Sequence, residues 1–550
     1  MLKKYTWLAL VIGMSHGAVG WAQQSGEPAS VLAETLSSWS KNCAVTSNHR
    51  LSDQSLKQLN ILYQAVDYRS LWRDVTLRQQ LADALKETRY DGLEPSMYQL
   101  DRLLALQENP VQSMSACDEV LLTQGYLQAL THLRDGVLNP EKVEPYWFEE
   151  VIKPSAPTSI VPDALAGLDN LPNIFAQVRP QQAAYRKLRE VLKTTYLLEQ
   201  TDWGIVPAGK VLRKGSLDVR VPRLKERLML AGYEIEKDLA AQKLLFIDDT
   251  VVPAETVNPE LYTPELAAAV KAFQRDHYLE SDGVVGPATL RELNISPEQR
   301  LMQVKVNLER LRWLEKWYEP TMLVVDIAGA RLLYFRDGDV VWRTRTQVGT
   351  QRRQTPLLKS RITHLTINPT WTVPPTILRE DKLPAIRRDI GYLARSNMQV
   401  LDYQGNVLNP YHVNWQSPAG IMLRQGPGPN NALGLVAIRF ANPFTVYLHD
   451  TPSKHIFGRA TRTVSSGCVR VEDADKLVDH LLFTAAASER QRIERIQASG
   501  RTRNVNLPEP IPVLLAYWTV EVDMDNRLRF RSDSYNHDEK VIAALKAAQR

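Results

Sequence analysis

The chain has 550 residues, 44% hydrophobic and 23% charged, with a net charge of +5 from 67 basic and 62 acidic side chains. Such a length exceeds what one core organises and predicts about three or four domains. The balanced composition excludes a disordered chain. The mild charge, with no concentrated Lys/Arg stripe, excludes a nucleic-acid binder, so no nucleic-acid partner is expected.

In chain order, Lys3 and Lys4 precede an apolar run from Tyr5 to Met14, and small residues lead to Gly20-Trp21-Ala22. This reads as a secretory signal over residues 1–22, cleaved after Ala22 and too short for a bilayer span. No Cys follows the run, so a lipoprotein is not expected. Export would place the three cysteines in an oxidising compartment. Cys43 and Cys117 can pair or can both be small core residues; Cys468 is then the odd thiol.

Residues 30–205 read as a helical unit. Leu56, Leu59, Leu62, Tyr63 and Val66 recur at helical spacing, as do Leu77, Leu81, Ala84 and Leu85. Asp91-Gly92 with Pro95 and Asp135-Gly136 with Pro140 mark turns, and the prolines of 152–180 suggest a loop-rich connection before a helix at about 181–200. A second unit, 210–296, carries Val221, Leu224 and Leu228 on one helix. Leu266, Ala269, Val270 and Phe273 lie on another, which opens with Thr263-Pro264-Glu265 as cap, first-turn proline and acid. Asp282-Gly283 and Gly286-Pro287 turn the chain into a short third helix. A helical linker is expected at 297–320. From Thr321 the period changes to that of strands (Met322–Ile327, Arg331–Phe335, Val340–Val348, Ile362–Ile367, Leu435–Phe440, Thr445–Leu448), as expected of a β-rich, sandwich-like domain over 321–540. Residues 374–420 interrupt it and read as an inserted lid. A helical stretch is expected from Glu472 to about Ser499, with strands again at Leu514–Val522 and Leu528–Arg531. The fold class is multidomain α+β.

The chemistry concentrates in Tyr447-Leu448-His449-Asp450-Thr451-Pro452, Phe457-Gly458-Arg459, Arg462 and Ser465-Ser466-Gly467-Cys468-Val469-Arg470. A thiol is mostly protonated near neutral pH, so a nucleophilic Cys needs a base or positive charge beside it. His449 ends an apolar strand pattern, and Cys468 sits in a Ser-Ser-Gly turn expected to open toward a helix. Backbone N–H groups of that turn can hold an oxyanion, and Gly467 lets the backbone approach a carbonyl. Arg470 can meet a carboxylate or fix the loop; Arg459 and Arg462 add positive charge. The residues alone indicate a Cys/His acyl-transfer site. A zinc set of His449, His455 and Cys468 lacks paired ligand spacing.

The string from His449 to Arg470 resembles the signature of the L,D-transpeptidase catalytic domain: His, a turn with Pro, Phe-Gly-Arg, then Ser-x-Gly-Cys-x-Arg. Asn368-Pro369-Thr370-Trp371 and Arg424-Gln425-Gly426 through Asn431 to Gly434 support it in order. Phe273-Gln274 with Asp282-Gly283-Val284-Val285-Gly286 resembles a small three-helix peptidoglycan-binding domain, here with a long insertion at about 234–262. The helical half resembles the scaffold domain of large Gram-negative members.

This resemblance implies Cys468 as nucleophile and His449 as general base. It also implies Gly467 and Cys468 as oxyanion donors, and a substrate-binding set of Ser466, Arg470, Tyr447, Asn431 and Trp371. Ser466 stands where many relatives carry His, so His449 would be oriented by a backbone carbonyl or by a hydroxyl such as that of Tyr447. The implied partners are donor and acceptor stem peptides of peptidoglycan, with glycan strands on the binding module. The implied location is the periplasm, the product is a 3→3 cross-link, and no metal or organic cofactor is needed. The same site would serve an L,D-carboxypeptidase or a lipoprotein-attaching transpeptidase; a non-catalytic wall-binding scaffold is the reading of another class.

Overall fold

Short polar residues set the helix ends in this computed structural model, which describes residues 29–39, 43, 51–108, 114–144, 147–149, 159–195, 203–235, 246–247, 250–251, 258–523 and 527–549. Ser52 caps the helix Asp53–Ala65, Ser115 forms a capping box with Asp118 at the head of Ala116–Asp135, and Ser296 forms one with Gln299 at the head of Pro297–Leu314. Each such cap is worth about 1 kcal/mol. The signal reading of residues 1–22 lies outside the described residues, as does most of the insertion at 234–262. Among the described residues no helix is long and apolar enough to cross a membrane.

The first region is helical, around a core that includes Tyr63, Trp72, Tyr126, Leu130 and Phe175. Cys43 and Cys117 form a disulfide across a sequence separation of 74. In the chain-entropy account a loop of that size is worth on the order of 4 kcal/mol. Part of the expected loop-rich connection is helical, at Val161–Ala166 and Leu171–Gln177, each with a proline in its first turn. Proline there breaks no helical hydrogen bond, so counting prolines overstated the loop.

The second region has the three expected helices, Val221–Leu230, Pro264–Asp276 and Pro287–Leu293. Its motif pieces hold one another: Gln274 Nε2 donates to Asp282 Oδ1 and Val284 O at 3.0 Å, and Gly283 N donates to Gln274 Oε1 at 2.8 Å.

The linker helix Pro297–Leu314 is buried on nearly every side and yet carries Arg300, Lys305, Glu309, Arg310 and Arg312. Charges so placed must be paired. Arg310 meets Glu144 of the helical region at 3.2 Å and Asp538 near the C-terminus at 2.5 Å; Lys305 meets Glu94 at 2.6 Å.

The third region is built on a ten-stranded sheet. Its strands are β1 (Trp147–Glu149), β2 (Met322–Asp326), β3 (Arg331–Arg336), β4 (Asp339–Gly349), β5 (Leu357–Ile367), β6 (Val436–Phe440), β7 (Leu448–His449), β8 (Thr463–Ser465), β9 (Val469–Val471) and β10 (Arg503–Ala516). The spatial order is β1-β5-β6-β7-β9-β4-β3-β2-β10, with β8 on β4. β10 also pairs with β5, so the sheet closes on itself and supplies both walls of the sandwich-like layering. β1 comes from the helical region and lies parallel to β5 at Trp147↔Leu357. The interior is filled by Leu323, Leu332, Val348, Ile438, Leu448, Val469, Val471 and Val513.

Residues 374–420 fold into short helices and into strands of a separate four-stranded sheet. Ile386, Leu393, Val400 and Leu423 form a small core with Trp371 and with Ala437 of β6. The insertion therefore packs on the outer face of β6 and β7. The stretch after Cys468 also differs from expectation. β9 intervenes first, and the helix predicted from 472 to 499 is two helices, Ala474–Leu481 and Ala487–Ala498.

Candidate active site

Strand alternation sorts the motif onto two faces. β6 and β7 pair at Ala437↔His449 and Ile438↔Leu448; β7 and β9 are parallel at Leu448↔Val469 and His449↔Arg470; β9 and β4 pair at Arg470↔Gln347. Partners in register share a face, and neighbours along a strand do not. Ile438, Leu448, Val469 and Val471 therefore point into the core. Tyr447, His449, Cys468 and Arg470 share the outer face. The row Ala437–His449–Arg470–Gln347 lies beside the row Arg439–Tyr447–Cys468, which places His449 and Cys468 as diagonal neighbours on adjacent strands. The second row is closed by Val469 N donating to Tyr447 O at 3.1 Å and by the Arg439 guanidinium 4.0 Å from the Tyr447 ring centre.

The turn before Cys468 is tightly held. Ser465 Oγ donates to Cys468 O at 2.5 Å and accepts from Gly467 N at 3.2 Å. Thr355 Oγ1 donates to Gly467 O at 2.8 Å, and Tyr535 OH donates to Gly349 O at 2.7 Å while accepting from Thr355 N at 3.2 Å. Gly467 has φ +110°, which a side chain rarely adopts, and a Cβ there would come within 3.3 Å of Gln354 O. Ser466 is exposed and accepts from Arg353 Nη1 at 2.8 Å. Arg353 also pairs with Glu380 and Asp381 at 2.7 Å. Those acids stand on the π-helical turn Leu378–Lys382, so Ser466 ties the cysteine turn to the insertion.

His449 is buried, and its Nδ1 lies 2.5 Å from Asp450 O. A carbonyl only accepts, so Nδ1 carries the proton and Nε2 keeps its lone pair. Burial, reinforced by Arg470, pushes His449 down to about 3. From an ordinary value of 6.5, an imidazolium here costs on the order of 5 kcal/mol at the resting site. Cys468 is half-buried, and desolvation pushes its thiol above 9.0, opposed by the Tyr447 amide, Arg439, Arg470 and the Tyr447 side chain. Both groups therefore rest neutral at pH 7. The two effects share one cause, removal of both groups from water.

Arg470 Nη1 donates to Gln347 Oε1 at 3.1 Å, while its buried Nε has no partner. It lines a cavity of about 470 Å³ with Trp371, Lys382, Tyr392 and Asn431, between the insertion and the 425–432 loop. Lys382 Nζ lies 5.4 Å from the Trp371 ring centre and donates to Tyr392 OH at 2.8 Å.

The structure thus brings together Cys468, His449, Tyr447, Arg470 and Ser466. Trp371 and Asn431 stand in the adjoining cavity, but the Asn431 amide is spent on Gly426 O and Leu433 N, both at 2.8 Å, shaping its loop. The Gly467 N–H is likewise engaged by Ser465, whereas the Cys468 N–H meets no acceptor among the described residues. Arg462 turns to the carbonyls of Arg459 and Gly329, at 2.7 and 3.1 Å, so the cations beside the sulfur are Arg439 and Arg470. Among the described residues no three His, Cys, Asp or Glu side chains gather as a metal set. Sequence reasoning missed Arg439, Lys382, Arg353 and Tyr535. Only Arg439 left a signal, a lone cation in the apolar strand Val436–Phe440.

Residues 57–192 match the scaffold domain family, and 220–293 match the family described as "Putative peptidoglycan binding domain". A Haemophilus influenzae protein named "Putative L,D-transpeptidase" is 33% identical over 259 residues, 46% of this chain and 51% of that protein; the chain spans about half the length of the curated relative it matches. Solved L,D-transpeptidases from Xylanimonas cellulosilytica and Stackebrandtia nassauensis are 18% and 13% identical, with TM-scores of 0.15 and 0.19. The first comparison covers 56% of this chain and 99% of that one, the second 57% and 96%. Residues 320–501, which hold both rows described above, match the L,D-transpeptidase catalytic domain family, and the chain therefore carries a YkuD-type L,D-transpeptidase catalytic domain behind a scaffold domain and a peptidoglycan-binding domain.

Proposed function

We propose that this chain is a peptidoglycan L,D-transpeptidase that forms 3→3 cross-links through a thioester on Cys468. The observation that carries the reading is the diagonal placement of Cys468 and His449 on one face of β7 and β9, under an insertion and beside a cationic cavity.

Cys468 Sγ attacks the carbonyl carbon of the third stem residue, and its proton passes to His449 Nε2. The oxyanion is met by the Cys468 N–H. The intermediate collapses with cleavage of the C–N bond to D-Ala, whose amine leaves with the proton from His449. The side-chain amine of an acceptor stem then attacks the thioester and gives a proton to His449, which returns it to the departing sulfur. Because both groups rest neutral, the proton moves with the attack and no ion pair is stored beforehand. Arg470 and Lys382 favour the free carboxylates of the stem, and residues 374–420 act as a lid that keeps water from the thioester. The binding module holds glycan strands, and the work is done outside the cytoplasmic membrane, where the substrate lies and where a Cys43–Cys117 disulfide persists.

Disaccharide tetrapeptide incubated with the full chain is expected to yield 3→3 dimer and free D-Ala. Cys468→Ala lowers that yield by at least about 10³-fold, with no acyl adduct by intact-protein mass spectrometry. Tripeptide without dimer would make the chain an L,D-carboxypeptidase, and full activity in Cys468→Ala would reject the nucleophile.

A further inference from the structure

The turn 350–355 grips the segment before the nucleophile at Ser465, Ser466 and Gly467. Thr350 N donates to Ser465 O at 3.0 Å, Arg353 Nη1 donates to Ser466 Oγ at 2.8 Å, and Thr355 Oγ1 donates to Gly467 O at 2.8 Å. Arg353 also reaches outward to the insertion. Its Nη1 and Nη2 meet the oxygens of Asp381 at 2.7 and 2.9 Å, and Nη2 donates to Glu380 Oε2 at 2.7 Å. Such a forked pair fixes orientation as well as distance. Arg352 adds a further pair to Glu380 at 2.8 Å. Arg353 holds both carboxyls below the usual carboxylate range, so the cluster stays charged at neutral pH.

The segment these pairs hold is weakly packed. Pro375–Ile377 and the π-helical turn Leu378–Lys382 contain no buried residue, and Ile377 and Leu378 lie half-buried against the insertion's core. Immediately beyond it, Leu383, Ile386 and Leu393 are buried. Lys382 ends the segment and lines the cavity with Arg470. We propose that Arg353 is a positioning residue, a latch that seats Pro375–Lys382 against the Cys468 turn, and that this latch sets how much thioester goes to an acceptor amine rather than to water. The proposal rests on the proposed thioester at Cys468. Both nucleophiles attack the same acyl carbon and break the same C–S bond. The amine leaves a 3→3 amide and water leaves a tripeptide with a free carboxyl group; in each case one proton passes through His449 to the departing sulfur. A released segment admits water. It also takes Lys382 away from the carboxylates of the incoming stem. Hydrolysis therefore gains while cross-linking loses.

The test is a product ratio. The full chain is incubated with disaccharide tetrapeptide, and tripeptide and 3→3 dimer are counted per D-Ala released. Arg353→Ala raises the ratio of tripeptide to dimer by about fivefold, as does Glu380→Gln with Asp381→Asn, which removes the charges and keeps the shapes. Arg353→Lys, which keeps the charge and loses the fork, falls between. All three changes together (Arg353→Ala, Glu380→Gln, Asp381→Asn) raise the ratio no further than either set alone, because they break one latch. Hydrogen exchange of the 375–382 amides reads the latch without turnover and rises in the same variants. A ratio unchanged in either set, effects that add between the sets, or tripeptide alone from the unmodified chain overturns the proposal. Thermal melting checks that Arg353→Ala folds; if it does not, Glu380→Gln with Asp381→Asn decides. Faster exchange in the variants, when the unmodified chain releases no D-Ala, keeps the latch and rejects the thioester; unchanged exchange overturns the latch whatever the products.

Discussion

The two faces of strands β6, β7 and β9 are made from the same short peptides and do opposite work. Inward, Ile438, Leu448, Val469 and Val471 are packed without water and make the catalytic domain's core. Outward, one residue along each strand, Tyr447, His449, Cys468 and Arg470 are also largely removed from water, but as polar groups. Dehydration stabilises the first set. It holds the thiol and the imidazole of the second in their neutral forms, as the proposed coupled proton transfer requires. The comparison teaches that the site is part of the sheet, so its geometry inherits the rigidity of the core beneath it.

The largest expected effect separates the faces directly. His449→Gln should slow acyl-adduct formation with disaccharide tetrapeptide by about 10²–10⁴-fold while the protein stays folded. An unchanged rate would make His449 a buried structural residue. On the inner face, Leu448→Ala should cost about 2–5 kcal/mol in denaturant unfolding. The folded fraction should keep its specific activity, and loss of activity with no change in unfolding midpoint would erase the distinction between the faces.

The resting charge state sharpens the comparison next. Burial raises the Cys468 thiol above 9.0 and leaves His449 neutral above about 3. Alkylation of Cys468 should therefore rise by about tenfold per pH unit between pH 7 and 9, with no plateau. A plateau beginning near pH 6 would reveal a stored thiolate–imidazolium pair. The smallest effect probes the support behind the turn: Tyr535→Phe removes a hydroxyl that joins Gly349 O and Thr355 N, and should cost about 1 kcal/mol of stability. A destabilisation with an unaltered alkylation rate would mean that the turn holds Cys468 in place without this hydroxyl.

Much of this was legible where the signal is local. Thr263-Pro264-Glu265 does begin a helix, because capping needs only adjacent residues. The His449 and Cys468 segments do meet, because each ends or starts a strand whose neighbours are short in sequence. Legibility failed where partners are distant. Arg439 reaches the sulfur's surroundings only through the register of β6 on β7. Lys382 joins the cavity through the packing of the insertion, and Tyr535 supports Gly349 across 186 residues of sequence. Gly467 shows a subtler limit: its motif position suggested a free N–H, but Ser465 Oγ already takes it.

By itself, the sequence determined the period of each region, the caps, the helical, module and strand divisions of the chain, and the residue types able to transfer an acyl group, since all of these depend on neighbours within a few positions. The tertiary structure alone decided that the sheet closes through β10, that His449 points its proton at the Asp450 carbonyl, that Arg439 and Arg470 flank the sulfur, and that Arg353 joins the Cys468 turn to the insertion. Register, burial and charge pairing are sums over residues far apart in the chain, and no local pattern encodes them.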